Sequence, residues 1–180
     1  VPPPGFAPRL VAGADLSMER GATHACAAMV TLDSATLEPR EEATARVPLQ
    51  FPYVPGLLSF RELPAVAACW ARLTRKPDVL IFDGVGYAHP RRFGLACHGG
   101  VLLDVPSIGC AKSILVGTHD PLPPERGART PLVHMGEVVG MAVRLRANVK
   151  PVFVSIGHMI DLDTAVDVVL HASAGYREPE

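Results

Sequence analysis

The sequence predicts one mixed α/β domain, with three antiparallel strands followed by parallel strands in a central sheet and helices on both faces. Three observations carry this prediction. Three short strand candidates with short connections open the chain, as in an antiparallel meander. Alternating helix and strand patterns follow them. The length, 180 residues, suffices for one sizeable core and is short for two.

The elements follow in order. Val1–Ala7 is Pro-rich and reads as an extended lead-in. Leu10–Ser17 is a short apolar strand interrupted by Asp15, Ala25–Leu32 is the second, and Leu37–Val47 alternates as the third. The three prolines of Pro48–Gly56 break the pattern. Leu57–Leu73, rich in Leu, Ala and Arg, predicts a helix that Pro64 kinks or delays. Val79–Phe82 is fully apolar, as in a buried strand, and ends at Asp83. Arg91–Leu103 predicts a helix weakened by Gly94, Gly99 and Gly100. Val105–Ala111 reads as a strand and the Pro- and charge-rich Thr118–Pro131 as a surface loop. Val138–Leu145 and Pro151–Ile156 are two more strands, and Asp161–Ala172 is a closing helix capped by Asp161 or Asp163. The ribonuclease H-like fold has this arrangement; in it the first strand lies beside the first strand after the helix.

Composition narrows the function classes. With 48% apolar and 19% charged residues the chain is globular rather than disordered. A net charge of −1 gives no diffuse basic field, so phosphate binding would need a local group of Lys and Arg. Cys26, Cys69, Cys97 and Cys110 lack Cys-x-x-Cys or zinc-finger spacing and read as thiols in a reducing, cytoplasmic compartment. No apolar run spans a bilayer and no basic-then-apolar leader opens the chain. Val rather than Met at position 1 is compatible with a trimmed N-terminus. No phosphate-cradling glycine fingerprint supports a nucleotide cofactor.

Asp15 within one apolar strand and Asp83 at the end of another are costly as ions unless neutralised. If the strands are neighbours, the two carboxylates share a site suited to Mg²⁺; the alternative for each is a helix cap or a paired surface acid. Glu62, near a helix start, is either a first-turn acid favoured by the helix dipole or a third carboxylate facing the first two. His89-Pro90-Arg91-Arg92 before a predicted helix suits phosphate or is a solvated turn. Lys112 at a strand end either reaches a phosphate or is a surface lysine. Phe51-Pro52-Tyr53-Val54-Pro55-Gly56 is a rigid aromatic loop that either wedges between bases or packs on the core. His98, His119, His134, His158 and His171 show no ligand spacing and read as structural or exposed.

The phrases Pro52-Tyr53-Val54-Pro55-Gly56-Leu57-Leu58-Ser59-Phe60-Arg61-Glu62, Asp83-Gly84-Val85-Gly86-Tyr87-Ala88-His89-Pro90-Arg91-Arg92-Phe93-Gly94 and Pro106-Ser107-Ile108-Gly109-Cys110-Ala111-Lys112 together resemble the endonuclease V family, and the likeness runs over nearly the whole chain. The resemblance implies a ribonuclease H-like single domain, 1–180, and a Mg²⁺-dependent phosphodiesterase in which Mn²⁺ can substitute. Its reaction would cut the second phosphodiester bond 3′ to hypoxanthine in DNA, opening repair of deaminated bases. It implies metal ligation by Asp15, Asp83 and Glu62, with His89 and Lys112 beside the phosphates. It places Tyr53 and Pro52 in a strand-separating wedge, and Leu58, Arg61, Gly84, Arg91, Arg92 and Gly94 against the nucleic acid. Two departures are expected: the family's N-terminal helix and its basic C-terminal helix are missing here. An inosine-directed ribonuclease and a catalytically weakened inosine-binding module are the alternatives, the first separable by contacts to a 2′-hydroxyl. DNA containing deoxyinosine is the expected partner, inosine-containing RNA a second, and a membrane none.

Overall fold

The computed structural model describes residues 6–18, 21, 23–52, 54 and 57–173, with only the backbone of Leu58. Tyr53, the expected wedge residue, lies outside the described residues. The element order is β1 (Leu10–Ser17), β2 (His24–Asp33), β3 (Pro39–Pro48), α1 (Leu58–Arg72), β4 (Val79–Phe82), α2 (Leu95–Leu103), β5 (Ser107–Ala111), β6 (Arg129–His134), β7 (Glu137–Val143), β8 (Val152–His158) and α3 (Leu162–Ala172). Eight strands form one sheet in the order β3-β2-β1-β4-β5-β8-β7-β6.

The meander is present: β1 pairs antiparallel with β2, and β2 with β3. After α1 the chain returns beside β1, so β4 runs parallel to it in the register Ala12↔Leu80 and Ala14↔Phe82. β5 extends the parallel set, but β8, β7 and β6 then pair antiparallel. The parallel strands expected after the meander are β4 and β5, and the antiparallel group β8, β7 and β6 completes the mixed sheet. β6 and β7 are joined by a tight turn, Met135 and Gly136 both at positive φ (55° and 79°), and a two-residue connection can join only antiparallel neighbours.

Strand alternation divides the core between the two faces. Ala12, Ala14, Leu80 and Phe82 pack with Leu63, Val66 and Cys69 of α1. Val11, Val79 and Ile81 turn the other way, toward Val166 and Val169 of α3. Asp161 caps α3, its carboxylate accepting the Thr164 N–H at 2.8 Å; that bond also holds Asp161 below the ordinary carboxylate range.

Three local expectations change. α1 runs continuously through Pro64, whose exposed position leaves its missing N–H at the solvent side. α2 begins at Leu95, after Arg91, because Arg92 takes a left-handed φ of 55° that no helix tolerates. The segment expected as a loop to Pro131 ends in strand β6, whose first residue is Arg129. β6 is an edge strand, and an edge tolerates a proline that lacks a ladder donor.

Candidate active site

Parallel registry builds the site. Asp15 and Asp83 each follow the last paired residues, Ala14 and Phe82, and the Asp83 N–H reaches the Ala14 carbonyl at 3.4 Å. Both line a cavity of about 270 Å³ on the α3 side of the sheet. Asp83 also lines a larger cleft of about 760 Å³ on the α1 side, together with Glu62, His89, Arg91 and Lys112. Gly84 and Gly94 complete its wall. Gly94 is needed for close approach: a Cβ there would meet the Val85 carbonyl oxygen at 2.4 Å.

The Asp83–Lys112 ion pair, 3.0 Å long, stands between the two cavities. Asp15 approaches it from one side and Glu62 from the other. Glu62 is pushed up to about 7, first by desolvation and then by the charges of Asp15 and Asp83, against the pull of Arg61. The three carboxylates thus lie within electrostatic reach of one another. In kind they suit a hard divalent cation, although among the described residues no three acidic, His or Cys side chains converge into a ready coordination cluster. The adjacent Arg61 carries a buried Nε with no hydrogen-bond partner, an unmet donor beside the acids.

His89 is held below its ordinary pKa by burial and by Arg91, and its Nδ1 accepts the Arg91 N–H at 3.2 Å. The neutral ring therefore carries its proton on Nε2. The two arginines after it differ. Arg91 is exposed and lines the cleft. Arg92 is occupied within the protein: its Nε donates to Glu137 at 2.8 Å, and its other nitrogens to the His89 and His134 carbonyls at 3.1 and 3.4 Å. It also lies over the Tyr87 ring, 5.7 Å from the centroid, and Tyr87 in turn donates to Glu137 at 2.7 Å. Sequence reasoning missed this cluster, because Glu137 lies 45 residues from Arg92 in a hairpin it had partly read as loop. It also missed Ser59, Phe93 and Leu115 on the cleft wall; the placement of Phe93 directly before Gly94 was the available signal.

Carboxylates near the ends of two central parallel strands, one of them, Asp83, sharing a cleft with Glu62, His89, Arg91 and Lys112, suit a hydrolase of the nuclease class. The comparisons make the class specific. The family model for endonuclease V matches residues 3–180. A Myxococcus xanthus protein named endonuclease V is 62% identical over 99% of this chain and 76% of its own length. The crystal structure of endonuclease V from Streptomyces avermitilis matches with a TM-score of 0.91 at 46% identity, over 99% of this chain and 77% of that one. Endonuclease V from Ciona intestinalis, in complex with DNA containing an inosine followed by a ribo-adenosine, matches with a TM-score of 0.81 at 29% identity, over 96% of this chain and 80% of that one. The chain belongs to the endonuclease V family.

Proposed function

We propose that this protein is a divalent-cation-dependent endonuclease that cuts DNA at the second phosphodiester bond 3′ to hypoxanthine. The observation that carries the reading is the gathering of Asp15 and Asp83, at the ends of neighbouring central strands, with Glu62 of α1, close enough for the first two to raise the pKa of the third. The inosine-containing DNA held by the Ciona relative supports the substrate.

Asp15, Asp83 and Glu62 would hold Mg²⁺, for which Mn²⁺ would substitute; when bound, the ion supplies Lewis-acid charge for activating water and for oxygen charge growing in the transition state. Lys112 keeps positive charge beside Asp83. His89 offers its Nε2–H to a phosphate oxygen, without a net charge that would have to be lost. Arg61 and Arg91 give local positive charge that the net charge of −1 does not supply globally. The cleft, about 760 Å³, has room for an extruded base, and a weakly paired inosine is cheaper to unstack than a matched base. Buried Cys69 and Cys97, whose thiols burial holds above their ordinary pKa, accord with a reducing cytoplasm. No helix among the described residues is long and apolar enough to cross a membrane.

Cleavage of inosine in RNA is the second reading, favoured by the ribo-adenosine that follows the inosine in the Ciona complex. Matched inosine-containing DNA and RNA strands, incubated with and without Mg²⁺, test both. Cation-dependent cutting two bonds 3′ to the lesion is expected on DNA. Cutting of RNA alone establishes the second reading, and no cutting of either leaves a binding module.

A further inference from the structure

Four aromatic rings from three separate segments meet at the rim of the α1-side cleft. Phe51 stacks on Phe60 with centroids 5.5 Å apart and planes 27° apart. Phe60 and His98 meet edge to face, 4.9 Å apart with planes at 68°, and Phe93 is tilted against His98 at 5.6 Å. The row runs from Phe51, which precedes the Pro52–Gly56 segment, to Phe93, which lines the cleft itself. The carboxylates and basic groups described above do not involve these rings.

Two features suit the row to a ligand rather than to packing alone. Phe60 and Phe93 are each 48% exposed, so about half of each ring is withheld from the core, where burial would stabilise the fold. The imidazole between them is fixed by the Ser59 Oγ···His98 Nδ1 hydrogen bond of 3.0 Å, and burial keeps it below its ordinary pKa. It is therefore an uncharged brace for the two phenyl rings in neutral solution. Every nucleobase has a π-face, and exposed aromatic rings beside a basic groove stack on unpaired bases without reading their identity.

We propose that Phe60 and Phe93, braced by His98, form a stacking platform that offers each half-exposed phenyl ring to an unpaired nucleobase of the bound strand, next to the cleft that would receive the lesion. The platform rests on the reading of the protein as a nucleic-acid enzyme, but not on inosine specificity. It adds sequence-tolerant affinity for single-stranded or locally opened DNA, to which an extruded base and its neighbours belong.

Binding of an unmodified, fluorescein-labelled single-stranded oligodeoxynucleotide, measured by anisotropy without divalent cation, tests it. Phe60→Leu and Phe93→Leu keep apolar bulk and remove the π-face; each should weaken binding roughly tenfold. Phe93→Trp should restore binding, and its added emission, over that of the single native Trp70, should be quenched as the oligonucleotide saturates. Leucine variants that stay folded by circular dichroism and bind as the parent does would overturn the platform. So would unchanged Phe93→Trp emission at saturation, or a parent protein with no measurable single-strand affinity. Inosine cleavage by the same parent sample separates the two readings: cutting with no stacking effect removes the platform and leaves the endonuclease standing.

Discussion

Two charged clusters flank the 83–94 loop, and they are built on opposite plans. Around Arg92 every charge is matched. Glu137 takes the guanidinium at 2.8 Å and the Tyr87 hydroxyl at 2.7 Å, and these bonds hold Glu137 below its ordinary pKa and push Tyr87 above its own. Around Asp83 three carboxylates gather near Lys112 and Arg61, and Glu62 rises to about 7, first through burial, then through the charges of Asp15 and Asp83 and against the pull of Arg61. A cluster that lowers its acid stabilises the charges it already holds; one that raises its acid leaves the cost of burying that charge uncompensated. The first fastens the loop to the β6–β7 hairpin, and the second is where a cation or a phosphate-bound ion gains most.

The comparison can be broken at either end. The largest effect is expected at Asp83, which lines both cavities. Asp83→Asn should lower cleavage of inosine DNA by roughly 10²–10³-fold or more while thermal unfolding stays near that of the parent. A comparable loss of stability would mean that Asp83 serves the fold. Next is Glu62 in metal-free protein. Its folded pKa lies above the unfolded value, so the folded state binds the extra proton and stability falls as pH rises from about 4.5 to about 7. Glu62→Gln should therefore be the more stable protein at pH 8, by roughly 1–2 kcal/mol after solvent screening of a half-buried group, and show no advantage at pH 4. Denaturant titrations at the two pH values check this.

The smaller effects separate the two arginines. Arg91→Ala should flatten the dependence of log affinity on log salt by about 0.9 for duplex DNA, the share of one phosphate contact. Arg92→Ala should leave that slope unchanged and instead lower stability by about 1 kcal/mol. A changed slope for Arg92 would show that it leaves Glu137 to meet the nucleic acid. Smallest of all, Tyr87→Phe should cost a few tenths of a kcal/mol to about 1 kcal/mol, the worth of one hydrogen bond.

Much of this was legible in the sequence because local physics governs it. An apolar run interrupted by Asp15 and another ended by Asp83 read as strands, and Leu10–Ser17 and Val79–Phe82 are strands with those bounds. Asp161 is a helix cap because a short acid before an amphipathic run satisfies an orphan N–H. The rest depended on partners distant along the chain. β6 was hidden by Pro131, which reads as a breaker until the strand is known to lie at the sheet edge. The start of α2 was displaced by the left-handed Arg92, a conformation held by Glu137 and the His134 carbonyl. His98, with no ligand spacing, gained significance only when Ser59, Phe60 and Phe93 were brought to it.

The uncompensated burial of Glu62 beside Asp15 and Asp83 is what marks this cluster as the proposed cation site, and the titration of Glu62 tests it most directly. Carboxyl ¹³C NMR on the metal-free protein, assigned with Glu62→Gln, should show this group titrating at about 7 and moving to lower pH when Mg²⁺ is added. A Glu62 that titrates near the ordinary value of 4.5 in the metal-free protein and ignores Mg²⁺ would contradict the account.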